Sequence, residues 1–153
     1  RRRVDMPTSF DSIIDVALIT INDYKLGKLF NKTQEGFKTY CDGFLIAAIP
    51  LFKQCKQSLS YNLKERYFDS CLTDKEISIL AGFWVLKWFE KETQDSAQIA
   101  NKLQISSSFT QHSPAQSLKE KSSYVDKLRE KTNQEINDYL LSDISSLPFF
   151  NEW

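Results

Sequence analysis

The sequence predicts an all-α protein: a small helical bundle with a long C-terminal helix, followed by an extended aromatic C-terminal arm. Two observations carry this fold class. Glycine and proline number only four each in 153 residues, and strands need frequent turns, so their scarcity favours long helices. Apolar residues also recur in stripes at helical spacing along successive stretches. A chain of about 150 residues can bury roughly 70% of its unfolded surface, which suits one domain. Residues 1–141 are read as that helical domain and 142–153 as the arm.

After the basic start Arg1-Arg2-Arg3, Pro7 and the cap candidates Thr8 and Ser9 precede a first helix. Its stripe is Phe10, Ile13, Ile14, Ala17, Leu18 and Ile21, a 3.6-residue period. Residues 22–34 read as a connector. A second helix is expected over 34–49, with Phe37, Cys41, Phe44, Leu45 and Ala48 on one face and Tyr40 at its edge. Pro50 removes a backbone donor and crowds the preceding turn, so the helix must end or kink there. Phe52 continues the stripe, which favours a kink with one further turn. Residues 53–72 read as a polar link containing Tyr61, Tyr67 and Phe68.

The clearest helix start is Thr73-Asp74-Lys75-Glu76. The Thr73 hydroxyl can accept from the Glu76 N–H while the Glu76 carboxylate reaches back to the Thr73 N–H, a capping box. Residues 77–89 then hold nine large apolar side chains: Ile77, Ile79, Leu80, Phe83, Trp84, Val85, Leu86, Trp88 and Phe89. A helix apolar on every side must be covered on every side. Part of that cover is expected from another subunit, with Phe83, Trp84, Trp88 and Phe89 as the packing candidates.

A short separate helix is expected over 96–106, with Ile99, Ala100 and Leu103 inward, before the punctuation Ser106-Ser107-Ser108. Ser113-Pro114-Ala115-Gln116 is a second strong start, with Ser at the cap and Pro at the first helical position. From there Leu118, Val125, Leu128, Thr132, Ile136 and Tyr139 form a narrow stripe to about Leu141, a helix of roughly 40 Å at 1.5 Å per residue. Gly43 and Gly82 fall inside predicted helices, where close approach between the second and third helices would explain them. The last twelve residues carry Leu147, Phe149, Phe150 and Trp153, with Pro148 blocking a continued helix. Such a segment either folds back on its own core or inserts into a neighbouring protein as aromatic anchors do.

Several function classes are disfavoured. Twenty basic and twenty acidic residues give a formal net charge of zero, without the basic excess usual in nucleic-acid binders. The helix surface with Lys119, Lys121, Lys127, Arg129 and Lys131 is interleaved with Glu120, Asp126 and Glu130, the pattern of a solvated face. The apolar run of 77–89 is too short for the roughly 20 residues that span a bilayer. Residues 13–21 are broken by Asp15 and lack a small-residue cleavage site, so no secretory signal is expected. Cys41, Cys55 and Cys71 lack metal-ligand spacing and read as reduced thiols. His112 is the only histidine and has no evident orienting partner, Asp11 and Asp15 are too few to ligate a divalent cation, and the glycines are too scattered to cradle phosphate. No enzyme activity, cofactor or metal is expected.

Several stretches, taken in order and spacing, resemble small helical head–tail connector proteins of tailed bacteriophages, also called adaptor or head-completion proteins. They are Phe44-Leu45 through Ala48-Ile49-Pro50 to Phe52-Lys53 and Cys55, then Ser58-Leu59-Ser60. Leu72-Thr73-Asp74-Lys75-Glu76-Ile77 follows, with Ile79-Leu80-Ala81, Val85 and Trp88, and then Ser113, Ala115 and Leu118-Lys119. Pro7-Thr8 with Ser12-Ile13 is a fainter echo. Residues 44–141 carry the likeness. The chain departs from the family pattern at Pro114, Ser117 and Leu140-Leu141, where more polar residues are usual.

The resemblance implies a non-enzymatic structural protein of the virion neck, made in the host bacterial cytoplasm. It implies a homo-oligomeric ring, usually a dodecamer, docked beneath the portal protein and followed by a downstream neck or tail-completion protein. DNA would pass through the ring without sequence-specific binding. Leu147, Phe149, Phe150 and Trp153 would then form a portal-gripping arm. A helical DNA-binding packaging or regulatory factor is the alternative, resting on the basic start.

Overall fold

The computed structural model describes residues 6–21, 34–105 and 114–144. It is mostly helical: α1 (Phe10–Thr20), α2 (Gln34–Ala48), a 3-10 turn (Ile49–Leu51), a hairpin of β1 (Tyr61–Asn62) and β2 (Tyr67–Phe68), α3 (Asp74–Ile105) and α4 (Pro114–Ile144). Helix α3 is the hub, and α1, α2 and α4 all pack against it.

Helix α1 starts where its cap residue places it. The Ser9 hydroxyl accepts from the Ser12 N–H at 3.3 Å, and Phe10, Ile13, Ile14, Ala17 and Ile21 are buried. Helix α2 buries Cys41, Leu45 and Ala48, then tightens into the 3-10 turn at Pro50. That turn swings Phe52 into the core, 6.3 Å from the Phe83 ring and 5.5 Å from the Tyr139 ring. The capping box of α3 is formed as the sequence indicates: the Thr73 N–H donates to Glu76 Oε1 at 2.9 Å, and the Glu76 N–H to Thr73 Oγ1 at 3.2 Å.

Helix α4 runs antiparallel to α3. Tyr139 lies beside Glu76, Glu135 beside Ser78, Thr132 beside Gly82 and Arg129 beside Glu90. Its buried stripe is Val125, Thr132, Ile136 and Tyr139, with Leu128 packed alongside.

Five expectations need correction. The link 53–72 contains the hairpin, with Tyr61 opposite Phe68 and Asn62 opposite Tyr67. The segment just before α1 meets β2 through an isolated antiparallel bridge, Ser9 opposite Tyr67: the Phe68 N–H donates to the Thr8 carbonyl and the Phe10 N–H to the Arg66 carbonyl. No separate helix begins at Ser96, since α3 continues to Ile105 and neither Gly nor Pro interrupts it after Gly82. Helix α4 extends past Leu141 to Ile144, so the start of the assigned arm is helical. Gly82 faces α4, not α2: a Cβ there would lie 3.0 Å from Thr132 Oγ1, while one at Gly43 would meet nothing within 4 Å.

The fifth correction concerns the apolar rod. The chain itself buries Phe83, Trp84 and Trp88, with Trp84 fully enclosed. Phe44 covers Trp84 edge-on at 5.3 Å, and the indole N–H donates to the Cys41 carbonyl at 2.9 Å. Phe89 is half-buried between Trp88 at 4.8 Å and Tyr124 of α4 at 5.0 Å. Helices α1, α2 and α4 therefore cover this rod, and its apolar girth calls for no second subunit.

A candidate functional site at the Glu76 carboxylate

The most concentrated chemistry in the described residues surrounds one buried carboxylate. Glu76 is 1% exposed, and an isolated charge at such depth would be strongly disfavoured. Four donors compensate it. Oε1 accepts from the Thr73 N–H at 2.9 Å and from Gln57 Nε2 at 2.6 Å, and Oε2 accepts from the Tyr139 hydroxyl at 2.8 Å and from the Cys55 thiol at 3.2 Å. The four donors come from three places: Thr73 from the end of the hairpin segment, Cys55 and Gln57 from the stretch after the 3-10 turn, and Tyr139 from α4.

A second ring of contacts fixes the donors. The Lys56 N–H donates to the Tyr139 oxygen at 2.9 Å, and Lys56 Nζ reaches the Tyr139 carbonyl at 3.2 Å while lying 4.4 Å from the ring centroid. Gln57 also donates to the Cys71 carbonyl at 2.9 Å. A groove of about 620 Å³ opens beside the node, lined by Lys56, Gln57, Thr73, Lys75, Asp138 and Ser142 around Glu76 and Tyr139.

The electrostatics follow from these bonds. Burial by itself would push the Glu76 pKa up, but the bonds from Thr73, Tyr139, Gln57 and Cys55 outweigh it and hold the group at about 2. Burial, reinforced by the neighbouring carboxylate, raises the Tyr139 hydroxyl above its ordinary value and the Cys55 thiol to about 11. Cys41, shut in the apolar core beside Asp42, is pushed to about 12. Glu76 is thus a fully engaged anion and Cys55 a protonated donor, an arrangement that clasps three segments of the chain.

A second clasp holds the hairpin. Arg66 closes the loop of residues 63–66 in a left-handed conformation, φ 60°. Its guanidinium grips the buried Asp42 of α2 through Nε and Nη2, both at 2.8 Å, and Nη2 also reaches Asp11 of α1 at 2.8 Å. Those bonds to Asp42 come first among the influences raising the Arg66 pKa. Asp11 is therefore an ion-pair partner here, while Asp15 stands exposed.

The residues singled out from sequence are not brought together. Leu147, Phe149, Phe150 and Trp153 lie outside the described residues, as do Arg1-Arg2-Arg3, His112 and Ser113. Phe83, Trp84 and Trp88 sit in the core and Phe89 at its edge. Arg129 is drawn to Glu90 at 3.2 Å and Asp126 at 3.6 Å. Among the described residues, no cluster of His, Cys, Asp or Glu is placed to hold a metal ion, and no helix is long and apolar enough to cross a membrane. The sequence announced Glu76 only as a cap. Tyr139, an aromatic stripe residue with a polar tip, was the available signal for a buried partner.

Comparison with family models, curated proteins and solved structures finds no match to this chain.

Proposed function

We propose that this chain is a structural virion protein that forms a connector ring between the capsid portal and the tail, extends the DNA channel, and assists head completion and tail attachment. The observation that carries the proposal is where the family-like residues fall. Leu45, Ala48 and Phe52 from α2 and its kink, Leu72 and Glu76 at the cap, and Ile79, Leu80, Ala81, Val85 and Trp88 of α3 are all buried in one core. Separate stretches of the resemblance thus meet at the positions that decide the packing, which supports a likeness of fold and not of scattered surface residues.

Outside that core, Leu140 and Leu141 stand exposed at the end of α4, directly ahead of the aromatic segment with Leu147, Phe149, Phe150 and Trp153. Apolar side chains placed this way suit contacts with neighbouring proteins in an assembly. The pairing of Arg129 with Glu90 and Asp126 reduces the free positive charge of the α4 surface.

Purified particles of the phage that carries this sequence provide the test. Mass spectrometry and a cryo-EM map should find the chain in mature virions, as a ring directly beneath the portal. Particles that assemble tails while lacking the chain would overturn the proposal.

A further inference from the structure

The groove of about 620 Å³ beside the Glu76 node opens next to the point where α4 ends. Asp138, Tyr139 and Ser142 of α4 form one wall, Thr73 and Lys75 at the start of α3 another, and Lys56 and Gln57 the third. Its rim carries two ammonium groups, on the exposed Lys56 and Lys75, against one exposed carboxylate, Asp138. Both lysine stems are apolar up to the charged head, so each offers a surface on which an aromatic ring can lie. Lys56 already packs this way, with Nζ 4.4 Å from the Tyr139 ring centroid.

We propose that this groove holds residues 147–153 of the same chain. The segment has the matching chemistry: Phe149, Phe150 and Trp153 supply rings for the lysine stems, and Glu152 supplies an anion for their ammonium groups. The docking stands on reach and charge. Its consequence, that the aromatic anchors stay sheathed until an assembly partner draws them out, rests on the connector reading above.

Reach and tethering select this occupant. Ser142 is already part of the groove wall, just ahead of the end of α4 at Ile144. Pro148 cannot continue the helix and disfavours helical geometry at Leu147, so the chain leaves the α4 axis beside the groove. Tyr139 stands roughly 7.5 Å back from Ile144 along that axis, at 1.5 Å per residue. Extended chain covers at most about 3.5 Å per residue, so Phe149 reaches about 17 Å and Phe150 about 21 Å. Both can turn back and lie along the wall from Ser142 to Asp138. A tether this short gives its own segment an effective concentration on the order of millimolar. The segment of a second copy, present at micromolar concentration, competes poorly against it.

Chymotrypsin, which cuts after accessible Phe149 and Phe150, tests the proposal on the full-length protein. Cleavage is followed by mass spectrometry over a dilution series, with a synthetic peptide of residues 145–153 as the undocked reference. The wild-type segment should be cut at least about tenfold more slowly than the peptide, by the same factor at every dilution, because cleavage follows the fraction of time the segment is released. Asp138→Trp fills the groove from α4 and should bring the rate up to that of the peptide. Lys75→Glu sets a carboxylate against Glu152 at a helix start that tolerates acids, and should raise the rate as well. Asn137→Trp, at the neighbouring exposed position outside the groove, should leave the protection intact. Circular dichroism establishes that each variant remains folded. Three results would each overturn the proposal: a wild-type segment cut as fast as the peptide, protection that fades on dilution and so comes from a second copy, or folded Asp138→Trp and Lys75→Glu chains as resistant as wild type. The particle map judges the ring beneath the portal separately, so the two failures can be told apart.

Discussion

Helix α3 is packed by opposite means at two levels about two turns apart. At Trp84 the surroundings are apolar, the ring is wholly enclosed, and one bond to the Cys41 carbonyl settles its only polar atom. At Glu76 enclosure is nearly as complete, but the buried group is an anion held by four donors from three segments. The first level is stabilised by area, which is non-directional and grows with every carbon removed from water. The second contributes through geometry: its bonds add little net energy, yet leaving any one unmade is expensive. Apolar enclosure therefore supplies the larger part of stability, and the carboxylate dictates how the hairpin link and α4 meet the start of α3.

The largest effect should come from the apolar level. Trp84→Ala is expected to destabilise the fold by about 3–5 kcal/mol in urea denaturation, the range for removing a large buried aromatic. Glu76→Ala should follow at about 2–4 kcal/mol, because the Tyr139 hydroxyl, Gln57, Cys55 and the Thr73 N–H lose their acceptor together. A Glu76→Ala cost below that of an ordinary surface substitution would break the contrast between the two levels.

The carboxylate also makes stability depend on pH, with a definite sign. Its folded pKa of about 2 lies below the ordinary value of 4.5, so the stabilisation is complete above about pH 4.5 and is lost as pH falls towards 2. Denaturation midpoints should drop across that window in the wild type. Glu76→Gln should flatten the drop, while Trp84→Phe should leave it unchanged.

The smallest effects separate the two helical glycines. Gly43→Ala should stabilise by about 0.5–1 kcal/mol, since alanine is the better helix former and its Cβ meets open space. Gly82→Ala should gain nothing, because its Cβ would lie 3.0 Å from Thr132 Oγ1, whose hydroxyl is committed to the Leu128 carbonyl at 2.8 Å. Equal gains at both positions would mean that α4 yields freely where it crosses Gly82.

Much of the helical plan is legible in the residues themselves. The Ser9 start, the turn at Pro50 and the Thr73–Glu76 box are local signals, and the structure uses each as written. The hairpin escapes because its left-handed loop position holds Arg66 and not glycine, so the usual turn marker is missing and ion pairs to Asp42 and Asp11 hold the residue in place. Ser96 suggests a boundary, yet serine is only a mild helix residue and nothing there forces an ending. An all-round apolar stretch likewise says that cover is needed without saying whose, and here α1, α2 and α4 of the same chain provide it around Trp84. The Glu76 node escapes for a different reason. Tyr139 stands 63 positions from Glu76 and 83 from Lys56, and no local pattern encodes such a meeting.

That separation has a consequence for how the molecule is made. Until Tyr139 has left the ribosome, Glu76 has one donor too few and Phe52 has lost one of its aromatic neighbours. The first two helices, the hairpin and α3 can collapse early, but the joint between them cannot close before Tyr139 has emerged. Nascent chains halted ahead of position 139 should therefore be cut readily by protease around Lys53 and Lys56, and chains halted well beyond it should resist.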